Sequence, residues 1–156
     1  MDYGIKINYL GRFRKGFTLV EILLAIALLA FLTTIVAPVT LDFYRRQQLQ
    51  TYTQEIVQAL RRAQTSAMSI EGDSSFGVYF SEDSYILFRG DSYTLRNVQY
   101  DEVFDMPKSI SVSGLTEAVF LKPEGNCLQE GQVIVANNIQ QNVITINKIG
   151  RINFEL

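Results

Sequence analysis

Three regimes of hydrophobic patterning divide the 156-residue chain. From Phe17 to Val39 the sequence FTLVEILLAIALLAFLTTIVAPV is almost unbroken apolar, with Glu21 its one ionisable side chain and no polar residue between Ile22 and Leu32. As a helix rising about 1.5 Å per residue it would cover roughly 34 Å, enough to cross a hydrocarbon core of about 30 Å. After Pro38 the pattern turns amphipathic. Leu49, Tyr52, Ile56, Leu60, Ala63 and Ala67 recur every three or four positions as one helical stripe, while Arg45, Arg46, Gln47, Gln48, Gln54, Glu55, Gln58, Arg61 and Arg62 take the other faces. The helix is expected to end near Gly72, in the turn chemistry of Glu71-Gly72-Asp73-Ser74-Ser75.

From Asp73 the period falls to two. Strands are expected at Phe76 to Phe80, Tyr85 to Arg89, Tyr93 to Tyr100, Ser109 to Ser113, Ala118 to Lys122, Gln132 to Ala136, Val143 to Asn147 and Arg151 to Leu156. Ser81-Glu82-Asp83-Ser84, Gly90-Asp91-Ser92, Asn137-Asn138 and Lys148-Ile149-Gly150 supply the turns. The pattern predicts an α+β fold: a long N-terminal helix, transmembrane and then amphipathic, carrying a small C-terminal antiparallel β domain as a lollipop, with one twisted sheet or two packed sheets. The divisions read from it are a basic leader over 1–16, a transmembrane segment over 17–39, the amphipathic half of the stem over 40–71 and a β-rich domain over 73–156. The stripe from Ile56 to Ala67 is expected to pack on the protein's own β domain.

Charge gives this plan a direction. Lys6, Arg12, Arg14 and Lys15 against Asp2 leave the first sixteen residues at +3, whereas residues 73–156 carry −5. A basic head before an apolar run keeps the N-terminus in the cytoplasm and exports the acidic body. That body as a whole is poorly suited to nucleic acid. With no His and one Cys, His-based triads, His metal clusters and intrachain disulfides are excluded. No catalytic residue, metal site or cofactor is expected. Asp101-Glu102-Val103-Phe104-Asp105 reads as a solvated loop, because it lacks the Gly-punctuated spacing of a Ca²⁺ loop. Cys127 is either a buried thiol or half of an intermolecular bridge.

A cleaved secretory signal fits poorly, since the small residue after the apolar core, Ala37, is followed by Pro38. A plain anchor leaves Glu21 unexplained. A carboxylate within a membrane helix costs about 2.5–3.5 kcal/mol on insertion scales, unless it reaches the headgroups or finds a partner.

Arg14-Lys15-Gly16-Phe17-Thr18-Leu19-Val20-Glu21, followed at once by the apolar run, resembles the processing site of type IV prepilins and pseudopilins. The resemblance implies cleavage between Gly16 and Phe17 by a prepilin peptidase, N-methylation of Phe17 and retention of the apolar helix. It further implies that Glu21 pairs with the terminal ammonium of a neighbouring subunit, a contact in which each charge relieves the other's burial penalty. Pro38 sits where many such proteins loosen or kink the helix. Implied partners are other pilin subunits through the N-terminal helix, the prepilin peptidase, an inner-membrane assembly platform and membrane lipid before assembly. The implied location is the bacterial inner membrane and then a filament. Phe76-Gly77-Val78-Tyr79-Phe80, Tyr85-Ile86-Leu87-Phe88 and Asn147-Lys148-Ile149-Gly150-Arg151-Ile152 are similar to FimT-like minor pilins and the H-type pseudopilins of type II secretion. The competing expectations are a single-pass anchored binding protein with an exported β domain and, more remotely, a DNA-binding competence pilin using Lys148 and Arg151.

Overall fold

The computed structural model describes residues 16–155, with residues 35–39 and 155 described by backbone alone. One long helix, α1 (Leu19–Met68), precedes nine strands: β1 (Phe76–Phe80), β2 (Ser84–Arg89), β3 (Glu102–Asp105), β4 (Ser111–Gly114), β5 (Glu117–Leu121), β6 (Asn126–Cys127), β7 (Gly131–Ala136), β8 (Gln141–Ile146) and β9 (Ile152–Glu155). This is an α+β fold. The chain divides into two compact units, residues 1–39 and 40–156.

In the first unit every large apolar side chain from Phe17 to Leu32 is exposed, at 47–79%. Among the described residues no helix is long and apolar enough to cross a membrane. Side chains here are described as far as residue 34. The span expected over Phe17 to Val39 runs beyond those side chains.

The second unit has its core between the later turns of α1 and two antiparallel sheets, ordered β3-β2-β1-β5-β6 and β4-β7-β8-β9. The helical stripe meets the sheets as its spacing predicts. Leu49, Ile56, Leu60, Ala63 and Ala67 have no exposed surface, and Tyr52 packs half-buried beside them. Val78 and Phe80 of β1, Phe120 of β5, Val133 and Val135 of β7, and Ile144 and Ile146 of β8 complete the core, in the alternation that a half-buried strand requires. A buried polar pair sets the fit of helix to sheet: Asn142 Nδ2 donates to Thr53 Oγ1 over 3.0 Å, and that hydroxyl donates to the Leu49 carbonyl over 2.8 Å.

Seven of the eight expected strands form, Phe76–Phe80 with the expected ends and the others with ends shifted by one or two residues. Tyr93 to Tyr100 does not. Tyr93 instead lies across the outer face of the first sheet, its ring stacked 3.7 Å from Tyr79 and edge-on to Phe88 at 5.7 Å. The Arg96 guanidinium stands 3.7 Å from the Tyr93 ring centroid, and its Nε pairs with Asp101 at 2.8 Å. Beneath this cover the Phe88 ring crosses Gly77, where a Cβ would come within 2.6 Å of it. The role of edge strand falls to Glu102–Asp105, expected as a solvated loop, which pairs with Ser84–Leu87 while Phe104 stacks on Tyr85 at 4.9 Å. Two-residue β6 was also not foreseen.

Helix α1 stops at Met68 rather than near Gly72, because Ile70 adopts a left-handed φ of 55°. That conformation costs a β-branched residue roughly 1–3 kcal/mol and persists only where its surroundings fix it. Here Lys122 Nζ donates to the Asp73 carbonyl at 2.5 Å and pairs with its carboxylate at 2.6 Å, while the Arg89 guanidinium donates to the Gly72 carbonyl. One turn earlier, Gln64 Nε2 donates to the carbonyls of Gly125 at 3.1 Å and Gly150 at 2.9 Å, fastening two loops to the helix. Gly150, at φ 78°, allows this close approach: a Cβ there would meet the Gly125 carbonyl oxygen at 2.2 Å.

Replacing Gln64 with Leu leaves both carbonyls without their partner, and should lower stability by about 1–3 kcal/mol in denaturant titration of the full chain in detergent. Burial, with the negative charge of Glu55 behind it, pushes the Tyr85 phenol up to about 12 from an ordinary 10.0. The folded chain therefore keeps a proton that the unfolded chain releases from about pH 10. Stability should hold below pH 10 and fall between pH 10 and 12 by about 2–3 kcal/mol, a decline that Tyr85→Phe should flatten.

Candidate functional site

The residues singled out at the N-terminus converge on the start of α1. Gly16 and Phe17 are non-helical and exposed, and helix begins at Leu19. Thr18 is its cap: the hydroxyl accepts from the Glu21 N–H at 3.2 Å, and the Thr18 carbonyl accepts from the Ile22 N–H at 3.2 Å. Thr-Leu-Val-Glu thus has the spacing of a capping box, with the acid at the third helical position. There the carboxylate faces the positive end of the helix dipole, an attraction of about 0.3–1 kcal/mol near an exposed terminus. Glu21 is the acidic residue of that first turn.

This gives Glu21 a local role in starting the helix, besides any role toward another chain. Thr18 is the capping residue that the apolar reading of the segment passes over. The signal for it was present in the threonine three places before a glutamate at the head of an apolar run. The leader expected over 1–16 lies outside the described residues up to Lys15. Pro38 lies within α1.

Lys148 and Arg151 belong to the second unit, in the tight turn between β8 and β9. Asn147 organises that turn: its side-chain oxygen accepts from the Arg151 N–H at 2.7 Å, and its carbonyl accepts from the Gly150 N–H at 2.9 Å. Both cationic side chains are exposed, with Ile149 between them 69% exposed. The turn presents two cations and one apolar residue to solvent.

The remaining candidates have local partners. Cys127 is buried, its thiol donating to the Gln129 carbonyl at 3.1 Å, and burial pushes its pKa up. A buried, protonated thiol is a poor nucleophile and is out of reach of a second chain. In the acidic segment, Asp101 is taken up by Arg96 and Glu102 by Arg62, the latter through two bonds of 2.6 and 2.7 Å. Among the described residues, no three His, Cys, Asp or Glu side chains come together to hold a metal ion.

Comparison with protein families finds a match to the prokaryotic N-terminal methylation motif over residues 11–37. That motif is the type IV prepilin-like signal, and it fits a pilin or pseudopilin. It spans the Gly16–Phe17 junction, the Thr18 cap, Glu21 and most of the apolar run. Comparison with curated proteins returns no match. Comparison with solved structures likewise returns none.

If Thr18 is the cap, Thr18→Val should cost the first turn about 1 kcal/mol while Thr18→Ser should be nearly neutral. Amide hydrogen exchange at Val20 to Ile22 of the full chain in detergent measures this. Equal protection in both variants would show that the cap contributes nothing.

Proposed function

We propose that this chain is a minor pilin or pseudopilin: a non-enzymatic subunit, trimmed after Gly16, methylated on Phe17 and built into a type IV pilus or a type II secretion pseudopilus. The observation that carries the reading is the coincidence of three features at one place. The methylation motif covers residues 11–37. A capped helix starts two residues past the Gly16–Phe17 bond. From Ile22 to Leu32 the helix then presents an apolar surface, with no polar side chain, to its surroundings. An apolar surface of that extent needs lipid or protein around it. Before assembly, lipid of the inner membrane supplies this cover, with residues 17–39 as the span, the N-terminus in the cytoplasm and residues 73–156 exported. After assembly, the same segments of neighbouring subunits supply it.

Within that reading the residues take separate tasks. Gly16 offers the peptidase a side-chain-free position before the cut. Phe17 becomes the methylated terminus. Glu21, besides favouring its own helix start, pairs with the terminal ammonium of a neighbouring subunit. Such a pair, desolvated among apolar helices, favours one axial register. Pro38 removes one helical hydrogen bond and loosens α1 where the apolar run ends. The partners are other pilin subunits, the prepilin peptidase and an inner-membrane assembly platform. Lys148 and Arg151 are a weak basis for DNA binding, since two phosphate contacts give only a small, salt-sensitive affinity.

Two measurements test the reading. The N-terminal peptide of the protein from its native membrane should begin at Phe17 and weigh one methyl group more than the bare sequence; an intact Met1 in a cell with active prepilin peptidase would overturn it. Glu21→Ala should abolish incorporation into filaments while leaving membrane insertion intact. A simple anchored binding protein would tolerate that change.

A further inference from the structure

Early in the second unit lies an open depression of about 520 Å³, within the roughly 300–1,000 Å³ range of small-molecule sites. Arg45 of α1, Lys108 and Ser109 before β4, Ser111 of β4, and Asn137 and Asn138 of the β7–β8 turn line it. Its lining includes two cations and no carboxylate. That composition runs against the −5 carried by residues 73–156, so it is not the background charge of the domain.

Neither cation is committed elsewhere. Lys108 makes no ion pair among the described residues. Arg45 has only Asp42, at 3.7 Å with both side chains about half exposed, a contact that contributes little. The walls, by contrast, are tied down. Asn137 Nδ2 donates to the Arg45 carbonyl at 2.9 Å, and its Oδ1 accepts from the N–H groups of Ile139 and Gln140, both at 2.9 Å. The Ser109 hydroxyl donates to Gln48 Oε1 at 3.1 Å. Two cations, one unpaired and one held only by a long, exposed ion pair, at the rim of a fixed polar wall match a compact anion with several acceptor oxygens, to which charge-assisted hydrogen bonds are shorter and stronger than neutral ones.

Position along the chain selects the source of that anion. Arg45 follows Val39, the last residue of the apolar run, by six positions. A cation this close to a membrane segment, on its exported side, is within reach of the headgroup phosphates of that leaflet, because a long side chain extends its charge toward the interface. We propose that the depression lined by Arg45 and Lys108 binds the phosphate of a lipid headgroup, holding the exported domain at the membrane before assembly. The chemistry is that of a phosphate anion, and its assignment to lipid rests on the proposed span over residues 17–39.

The test uses the full chain in an uncharged detergent, titrated with dihexanoyl phosphatidylglycerol in one arm and inorganic phosphate in the other, with backbone amide shifts as readout. The lipid should shift Ser109, Ser111 and Asn138 saturably, at a concentration at least tenfold below that needed with inorganic phosphate. Arg45→Ala with Lys108→Ala should raise the half-saturation at least tenfold, Lys108→Arg should preserve binding, and Arg61→Ala, at an exposed cation of α1 outside the depression, should change nothing. The melting curve of the double variant shows whether it remains folded. Equal binding of both probes would overturn the lipid assignment in favour of free phosphate. Saturation by neither, or unchanged binding in the folded double variant, would overturn the site. The N-terminal mass is read separately. A methylated Phe17 terminus on a chain that binds neither probe would remove this inference and leave the pilin reading standing.

Discussion

The second unit depends on one helical face. Neither sheet could bury its inner side unaided: the first sheet ends in a strand of two residues, and the second has four strands with one flank formed by short β4. The stripe from Leu49 to Ala67 supplies the shared wall, with the small residues Ala63 and Ala67 fully buried near the helix end. Thr53 and Asn142 add direction to this otherwise non-directional packing. A buried amide that lost its hydroxyl partner would leave an unpaired donor, at a cost of about 1–3 kcal/mol, so sliding the helix against β8 is penalised beyond lost apolar contact. The Gln64 bonds to two loops act in the same way nearer the end of α1.

That dependence explains which parts of the fold the sequence revealed. A stripe with intervals of three and four, and strands with a period of two, are local consequences of burial on one side, so Leu49 to Ala67 and most of the β domain could be read directly. Tyr93 to Tyr100 has the residue types of a strand, yet its conformation is decided by a tyrosine fourteen residues away and by a cation over the ring. Glu102–Asp105 has the opposite problem. Its acidic ends disguise a strand whose single inward aromatic, Phe104, finds Tyr85 across the pairing. Both errors have one cause: a contact between distant positions outweighed local preference.

The candidate site was legible for a different reason. The residues of the proposed processing site lie within a few positions of one another, so Gly16, Phe17 and Glu21 could be picked out as a string, and the methylation motif covers that string. The depression bearing Arg45 and Lys108 could not be found that way, because its lining comes from α1, the approach to β4 and the β7–β8 turn. Linear motifs report what an enzyme reads on an unfolded segment. Concave sites report what folding has gathered.

The cap at Thr18 bears on how the chain could be cut at all. A protease needs its substrate backbone free of helical hydrogen bonds, and Gly16 and Phe17 meet that need while Leu19 onward does not. Processing at the Gly16–Phe17 bond would thus require no unwinding, whereas a cut two residues further in would have to melt the first turn and give up the Thr18 hydroxyl. On the proposed reading, the helix start would work as a stop, measuring off the mature terminus by conformation as well as by sequence.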